Sequence, residues 1–208
     1  MILYYSARSC ALAPHLALEH VGAKYEARRL DFSKNEQRSE EFLRINPKGR
    51  VPVLIADEGI LTEAPAILTY ISHLYPEAGL APINNPFLYA QIQAFNSYLC
   101  STLHVAHAHG YRGYRWVDAD NQAALDAMKR KMPQTVSESF ALIEQDVLQG
   151  PWVFGEHYTI SDMYLFTVAQ WLEMDGIDTG KLPKVMAHRQ RMMQDPIVQR
   201  VLQEQQKP

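Results

Sequence analysis

The chain has 208 residues, 47% of them hydrophobic and 21% charged, with a formal net charge of -3. That is the composition of a folded globular protein, and it excludes intrinsic disorder and gives no general electrostatic reason to bind nucleic acid or an anionic membrane. No apolar run is long enough to span a bilayer and the chain opens on a strand-like segment in place of a signal sequence, so a cytoplasmic protein is expected. The two cysteines, Cys10 and Cys100, are too few for a disulfide framework and lack metal-ligand spacing, which agrees with a reducing compartment.

Met1 to Tyr5 reads as a strand, and the alanine- and leucine-rich stretch that follows reads as a helix ending at Gly22. Pro14 is comfortable only in a first helical turn, so this helix should begin near Cys10 or Ala11. A cysteine at a helix N-terminus, with Arg8 nearby, is expected to ionise more readily than a free thiol. The alternative is a cysteine buried as a small hydrophobe. A second strand over Tyr25–Leu30 completes a βαβ unit, and a short helix around Glu40–Ile45 follows. Asn46-Pro47-Lys48-Gly49-Arg50 forces a turn into a strand from Val51 to Ile55, and Asp57-Glu58-Gly59 turns that strand into Ile60-Leu61. Ile67, Leu68, Ile71 and Leu74 recur at helical spacing after Pro65. The order predicts a four-stranded mixed sheet carrying helices.

The proline-, glycine- and asparagine-rich interval from Tyr75 to Pro86 reads as a linker, after which strand patterns stop. One long helix is predicted from Pro86 to His109, closed by Gly110. Another runs from Asn121 to Leu148, kinked or split at Pro133. Thr159-Ile160-Ser161-Asp162 is a capping box, with Tyr158 and Met163 placed for a hydrophobic staple. It is expected to serve folding and not chemistry, and removing both caps should cost on the order of 1–2 kcal/mol. Pro183 and Pro196 mark two more helix starts, giving about five helices in this half.

Taken together, Asn46 to Leu54, Leu61 to Ile67 and the Thr159–Asp162 box resemble the cytosolic glutathione S-transferases, and the similarity spans essentially the whole chain. Tyr5-Ser6-x-x-Ser9-Cys10 followed by Pro14-His15 is most similar to the bacterial beta class. The resemblance implies a thioredoxin-like N-terminal domain (βαβαββα, residues 1–78) and an all-helical C-terminal domain (86–208) that lines the co-substrate site. It also implies glutathione as co-substrate with no metal, a small electrophile or disulfide as the other substrate, no nucleic acid or membrane partner, and a homodimer. Phe95, Tyr98 and Ser101 are the residues expected at the dimer interface.

By the same resemblance Cys10 faces the glutathione sulfur, with Ser9, Tyr5 or His104 able to assist it. Val51 and the cis Pro52 offer backbone groups to the tripeptide, and Lys34 or Lys48 reaches its glycine carboxylate. Glu63 and the Ala64 amide receive the γ-glutamyl end. Ala64 departs from the serine common in the family, which removes one hydroxyl donor and one helix cap worth about 1 kcal/mol, so weaker glutathione binding is expected. His104 and His107 lie one turn apart, but no third ligand shares that turn, so histidines lining a cleft or helix face are the better reading than a metal pair. Tyr111, Arg112, Tyr114, Arg115 and Trp116 either wall an apolar co-substrate pocket or form a packed loop. The implied function is conjugation of glutathione to electrophiles, with thiol-disulfide exchange or peroxide reduction through Cys10; a non-catalytic carrier or interaction module is the alternative.

Overall fold

The computed structural model describes residues 1–206; the last two residues of the expected C-terminal span lie outside the described residues. The N-terminal apolar run forms β1 (Ile2–Tyr5), and α1 (Leu12–His20) follows a short loop. β1 pairs parallel with β2 (Glu26–Arg29) and antiparallel with β3 (Val53–Ala56), which pairs antiparallel with β4 (Gly59–Thr62), giving the order β2-β1-β3-β4. Leu3 sits opposite Leu54 and Leu54 opposite Leu61, so leucines line one row of the sheet. All four residues of β2 are exposed, and its Glu and Arg side chains keep this edge soluble.

Between β2 and β3 the chain forms α2 (Glu40–Ile45), capped by Ser39, whose hydroxyl accepts from the Phe42 amide. After β4, α3 (Ala64–Leu74) buries Ile67, Leu68 and Ile71. These residues and α1 join one core that continues into the helical half. The predicted βαβαββα order is the observed one.

The helical half contains α4 (Pro86–Tyr98), α5 (His104–Arg112), α6 (Gln122–Leu142), α7 (Ile160–Ala169), α8 (Pro183–Met193) and α9 (Pro196–Gln206). α4 and α5 are one rod joined by a π-turn over Leu99–Leu103. The rod does not close at Gly110, as predicted, but runs to Arg112. Gly110 is there for close approach: a Cβ at this position would stand 2.7 Å from Met132 Cε of α6. Nor does Pro133 split α6, which continues to Leu142. Burial of Met132, Val136 and Phe140 along its inner face outweighs the roughly 3 kcal/mol that an interior proline costs.

Every residue of α7 is buried, as expected of a helix apolar all round. The capping box starts it: the Thr159 amide donates to Asp162 Oδ2 at 2.7 Å, and the Ser161 amide to the Thr159 hydroxyl at 3.3 Å. Asp162 does more than cap. Its Oδ1 accepts from the Val153 amide at 2.7 Å and lies 3.1 Å from His188 Nε2, all of it out of contact with water. Tyr158 packs its ring on Trp152 and His20. No helix among the described residues is long and apolar enough to cross a membrane.

Candidate functional site

The loop from β1 to α1 enters the cleft between the two halves. Within it Ser9 folds back: its hydroxyl donates to the Ser6 carbonyl at 2.7 Å and accepts from the Ala11 amide at 3.3 Å. Arg8 sits at φ 60°, and its carbonyl accepts a 3.0 Å bond from Trp171 Nε1 of the helical half. Cys10 therefore stands just ahead of α1, which begins at Leu12 with Ala11 as its N-cap. Its thiol donates to the Val51 carbonyl at 3.5 Å.

The opposite rim comes from the turn before β3. Asn46, buried, donates from its side-chain amide to the Arg50 carbonyl at 2.7 Å and fixes the turn. Gly49 takes φ +60°, and a Cβ there would stand 2.9 Å from the Gln37 carbonyl, so no larger residue fits. The Val51–Pro52 bond is cis. Next to it Glu63, at φ 73°, precedes α3 as its N-cap. Ala64 is therefore the first helical residue and not the cap, so the cap loss expected from a missing serine at 64 does not arise. Pro65 occupies the second helical position, as predicted.

Cys10, Val51, Pro52, Glu63, Ala64 and His104 all line one cavity of about 140 Å³. It continues into a larger one of about 510 Å³ reached past His107, Tyr111, Arg112 and Trp171. Tyr114 and Arg115 line the larger space too, and Trp116 the smaller. The 111–116 segment thus walls the cleft, and its upper rim is cationic as well as aromatic.

The electrostatics overturn one expectation. Although the residue is partly exposed, the Cys10 sulfur is enclosed, and burial pushes its thiol up to about 12, helped by the negative charge of Glu63. Arg115 is the cation that opposes this. Cys10 is thus a neutral S–H at neutral pH, because desolvation outweighs the pull of a helix terminus that starts two residues later. Burial, with His107, Arg115 and Arg50 nearby, lowers His104 to about 4, so its imidazole is neutral too. Its ring packs 5.0 Å from Trp171, while His107 stacks on the same indole at 4.3 Å and pairs with Asp175 at 2.8 Å.

Of the other expected site residues, Ser9 lines the larger cavity, while Tyr5, Lys34 and Lys48 line neither. Tyr5 is buried under the sheet with its ring 5.2 Å from His15, away from both cavities. The Ser9 hydroxyl is occupied by its own loop. Lys34 is exposed and pairs with Asp31 at 3.5 Å. Lys48 donates to Thr62 Oγ1 at 2.7 Å and pairs closely with the Glu63 carboxylate, so Glu63 meets a ligand already partnered. Two cleft residues had no role in the sequence reading. Cys100, in the π-turn one helical turn before His104, lines the same cavity as Cys10. Tyr164, buried on α7, lines it from below. The spacing of Cys100 to His104 was a usable signal; Tyr164 lay unmarked in an apolar helix. The one cluster of three metal-capable side chains among the described residues, His15, Glu19 and Glu204, lies outside the cleft.

Residues 1–73 match the family model for the glutathione S-transferase N-terminal domain, and residues 105–196 that for the C-terminal domain. Glutathione S-transferase GstA of Escherichia coli O157:H7 is 32% identical over 97% of this chain and 97% of its own. GST-4.5 of Xanthomonas campestris is 30% identical over 98% of each. A glutathione transferase homologue from Sulfitobacter, solved with bound glutathione, superposes with a TM-score of 0.93 at 39% identity, covering 98% of this chain and 97% of that one. The beta-class enzyme of Sphingomonas chungbukensis superposes at 0.85 with 30% identity, covering 99% of each.

Proposed function

The chain belongs to the glutathione S-transferase family, and from that premise we propose that it conjugates glutathione to small electrophiles in the cytoplasm. The observation that carries this reading is the shared cavity of Cys10, Val51, Glu63, Ala64 and His104. In it the Val51 backbone pairs with the extended tripeptide, and the start of α3 receives the γ-glutamyl carboxylate. Glu63 takes the γ-glutamyl ammonium, exchanging it for Lys48, which is then released toward the glycine carboxylate.

Cys10 acts as a hydrogen-bond donor. A neutral thiol exchanges its contact with the Val51 carbonyl for the glutathione sulfur and stabilises that sulfur as the anion. A Cys10 thiolate would have competed for the same positive field; a thiol does not. Its thiol proton lost to solvent, the bound thiolate attacks the electrophilic carbon, a C–S bond forms, and the leaving group departs with its electron pair. His104, neutral and beside Trp171, orients the reactants. Thiol-disulfide exchange through Cys10 is the secondary activity, slow at neutral pH because little of the thiol is ionised.

The protein works as a homodimer. Of the residues expected at the interface, Phe95 is buried against Phe154, Tyr98 is half-buried with its hydroxyl donating to the Ser139 carbonyl, and Ser101 is exposed. Phe87, 75% exposed, Leu74 and Ile60 are large apolar groups left at the surface, and these suit a partner subunit. Light scattering at micromolar concentration should give twice the mass of 23.8 kDa; a monomer refutes it.

Retention on immobilised glutathione, with turnover of chlorodinitrobenzene and of a mixed disulfide, tests the activity. Binding without either turnover would replace this reading with a non-catalytic carrier.

A further inference from the structure

The larger cavity carries charge that the overall composition hides. In a protein of net charge -3, its wall contains Arg8, Arg38, Arg50, Arg112 and Arg115 and no aspartate or glutamate. Elsewhere Arg28, Arg44, Arg189 and Arg200 each hold a carboxylate. Among the described residues none of the five cleft arginines has a carboxylate within ion-pair distance. Arg112 donates to the neutral Tyr111 carbonyl at 3.0 Å, and Arg115 is crowded by the like charges of Arg50 and Arg112. The acids nearby are already paired: Asp175 with His107 and Glu63 with Lys48.

Like charges held together without counter-charges work against the fold, and a cleft between low-dielectric walls concentrates their field on whatever enters. Glutathione does not neutralise all of it. On the proposed reading one of its carboxylates goes to the start of α3 and the other to a single cation, which leaves several guanidiniums on the co-substrate side. Arg8 from the β1–α1 loop, Arg112 at the end of α5 and Arg115 in the turn just beyond it line the same space as flat aromatic surfaces, Trp171, Tyr111 and Tyr114. Guanidinium grips carboxylate bidentately and stacks on planar groups, so this wall suits a flat molecule with an acidic end.

We propose that the electrophilic co-substrate is a planar, unsaturated or aromatic carboxylate, held by Arg8 of the loop that carries Cys10 and by Arg112 and Arg115 of the helical half. The proposal rests on the glutathione-conjugating reading for its chemistry, though not for its binding.

The test uses a chlorodinitrobenzoate and the matching chlorodinitrobenzamide, which share a shape and a leaving group and differ in charge. Each enzymatic kcat/KM is divided by the uncatalysed rate with glutathione. The benzoate should be preferred by about tenfold or more, the worth of one charge-assisted pair. The preference should shrink as salt is raised from about 0.05 to about 0.5 M, and the Arg8→Gln, Arg112→Gln and Arg115→Gln variants should each bring the ratio toward one. In parallel, unreactive dinitrobenzoate and dinitrobenzamide are titrated against the tryptophan fluorescence of the whole enzyme without glutathione. If both electrophiles turn over equally and both ligands bind equally, the anionic co-substrate is refuted and conjugation stands. If neither turns over but the benzoate binds preferentially, conjugation fails and the anionic site stands.

Discussion

Replacing Asp162 by alanine should cost far more than a helix cap. A cap alone is worth about 1 kcal/mol, and the sequence pattern suggests no more. In the structure the two carboxylate oxygens serve the Thr159 amide, the Thr159 hydroxyl, the Val153 amide and His188. Val153, Asp162 and His188 are 0–1% exposed and Thr159 is 5% exposed, so no water replaces the lost acceptor. Two buried amides left without partners cost about 1–3 kcal/mol each. With the cap, Asp162→Ala should lose about 3–7 kcal/mol, a large part of the 5–15 kcal/mol that holds a typical domain together. Thr159→Ala should lose about 1 kcal/mol, and Asp162→Asn, which keeps an acceptor, should fall between them. Urea unfolding followed by circular dichroism at fixed protein concentration measures all three, and the two milder variants give values even if Asp162→Ala does not accumulate. A loss below about 1 kcal/mol in Asp162→Ala would refute the reasoning. So would a variant of native stability that had lost turnover, because the group would then belong to chemistry.

Stability should fall on acidification. Burial lowers His15 to about 4 from an ordinary value near 6.5. The unfolded chain therefore takes up a proton between those values that the folded chain refuses, and stability is lost as pH drops through that window, by up to about 3 kcal/mol at pH 4. His15→Asn should flatten the slope of denaturation midpoint against pH; an unchanged slope would exclude His15 as its source. Exchange with a mixed disulfide should rise about tenfold per pH unit from pH 7 to 9, because a thiol pushed up to about 12 gains thiolate at that rate. Cys10→Ala should abolish exchange and lower conjugation less steeply, and a pH-independent exchange rate would contradict the buried thiol. Glu63→Gln should raise KM for glutathione about tenfold with a smaller change in kcat, as expected for a charge that binds the ammonium and takes no part in bond making. A change confined to kcat would place Glu63 in the chemical step.

Local chemistry explains what could be read in advance and what could not. Pro65, Pro183 and Pro196, the Thr159 box and the Asn46–Arg50 turn act through neighbours a few residues away, so helix starts and the order of elements along the chain were legible. Gly110 and Pro133 misled because their local preferences were overridden by packing: Gly110 makes room for Met132, and Pro133 is carried by the buried face of α6. That Cys10, Glu63, Ala64 and His104 share one cavity followed from the resemblance to a family. The protonation of Cys10 was not. A helix terminus is visible in sequence, but the burial that outweighs it arises only when distant segments close around the thiol, with Val51, Cys100 and Tyr164 lining the same cavity. The arginine wall escaped notice for the same reason, its five members being scattered from residue 8 to residue 115.

The bond from Trp171 to the Arg8 carbonyl also sets an order of events during synthesis. The loop that presents Cys10 is made well before the indole that pins it, which lies 163 residues later. His104 leans on that same indole. A nascent chain or fragment ending before α7 is complete therefore carries Cys10, Glu63 and His104 without the post that holds the two halves of the cleft in register. Competence arrives late and all at once, so truncated products should be inert and not partially active.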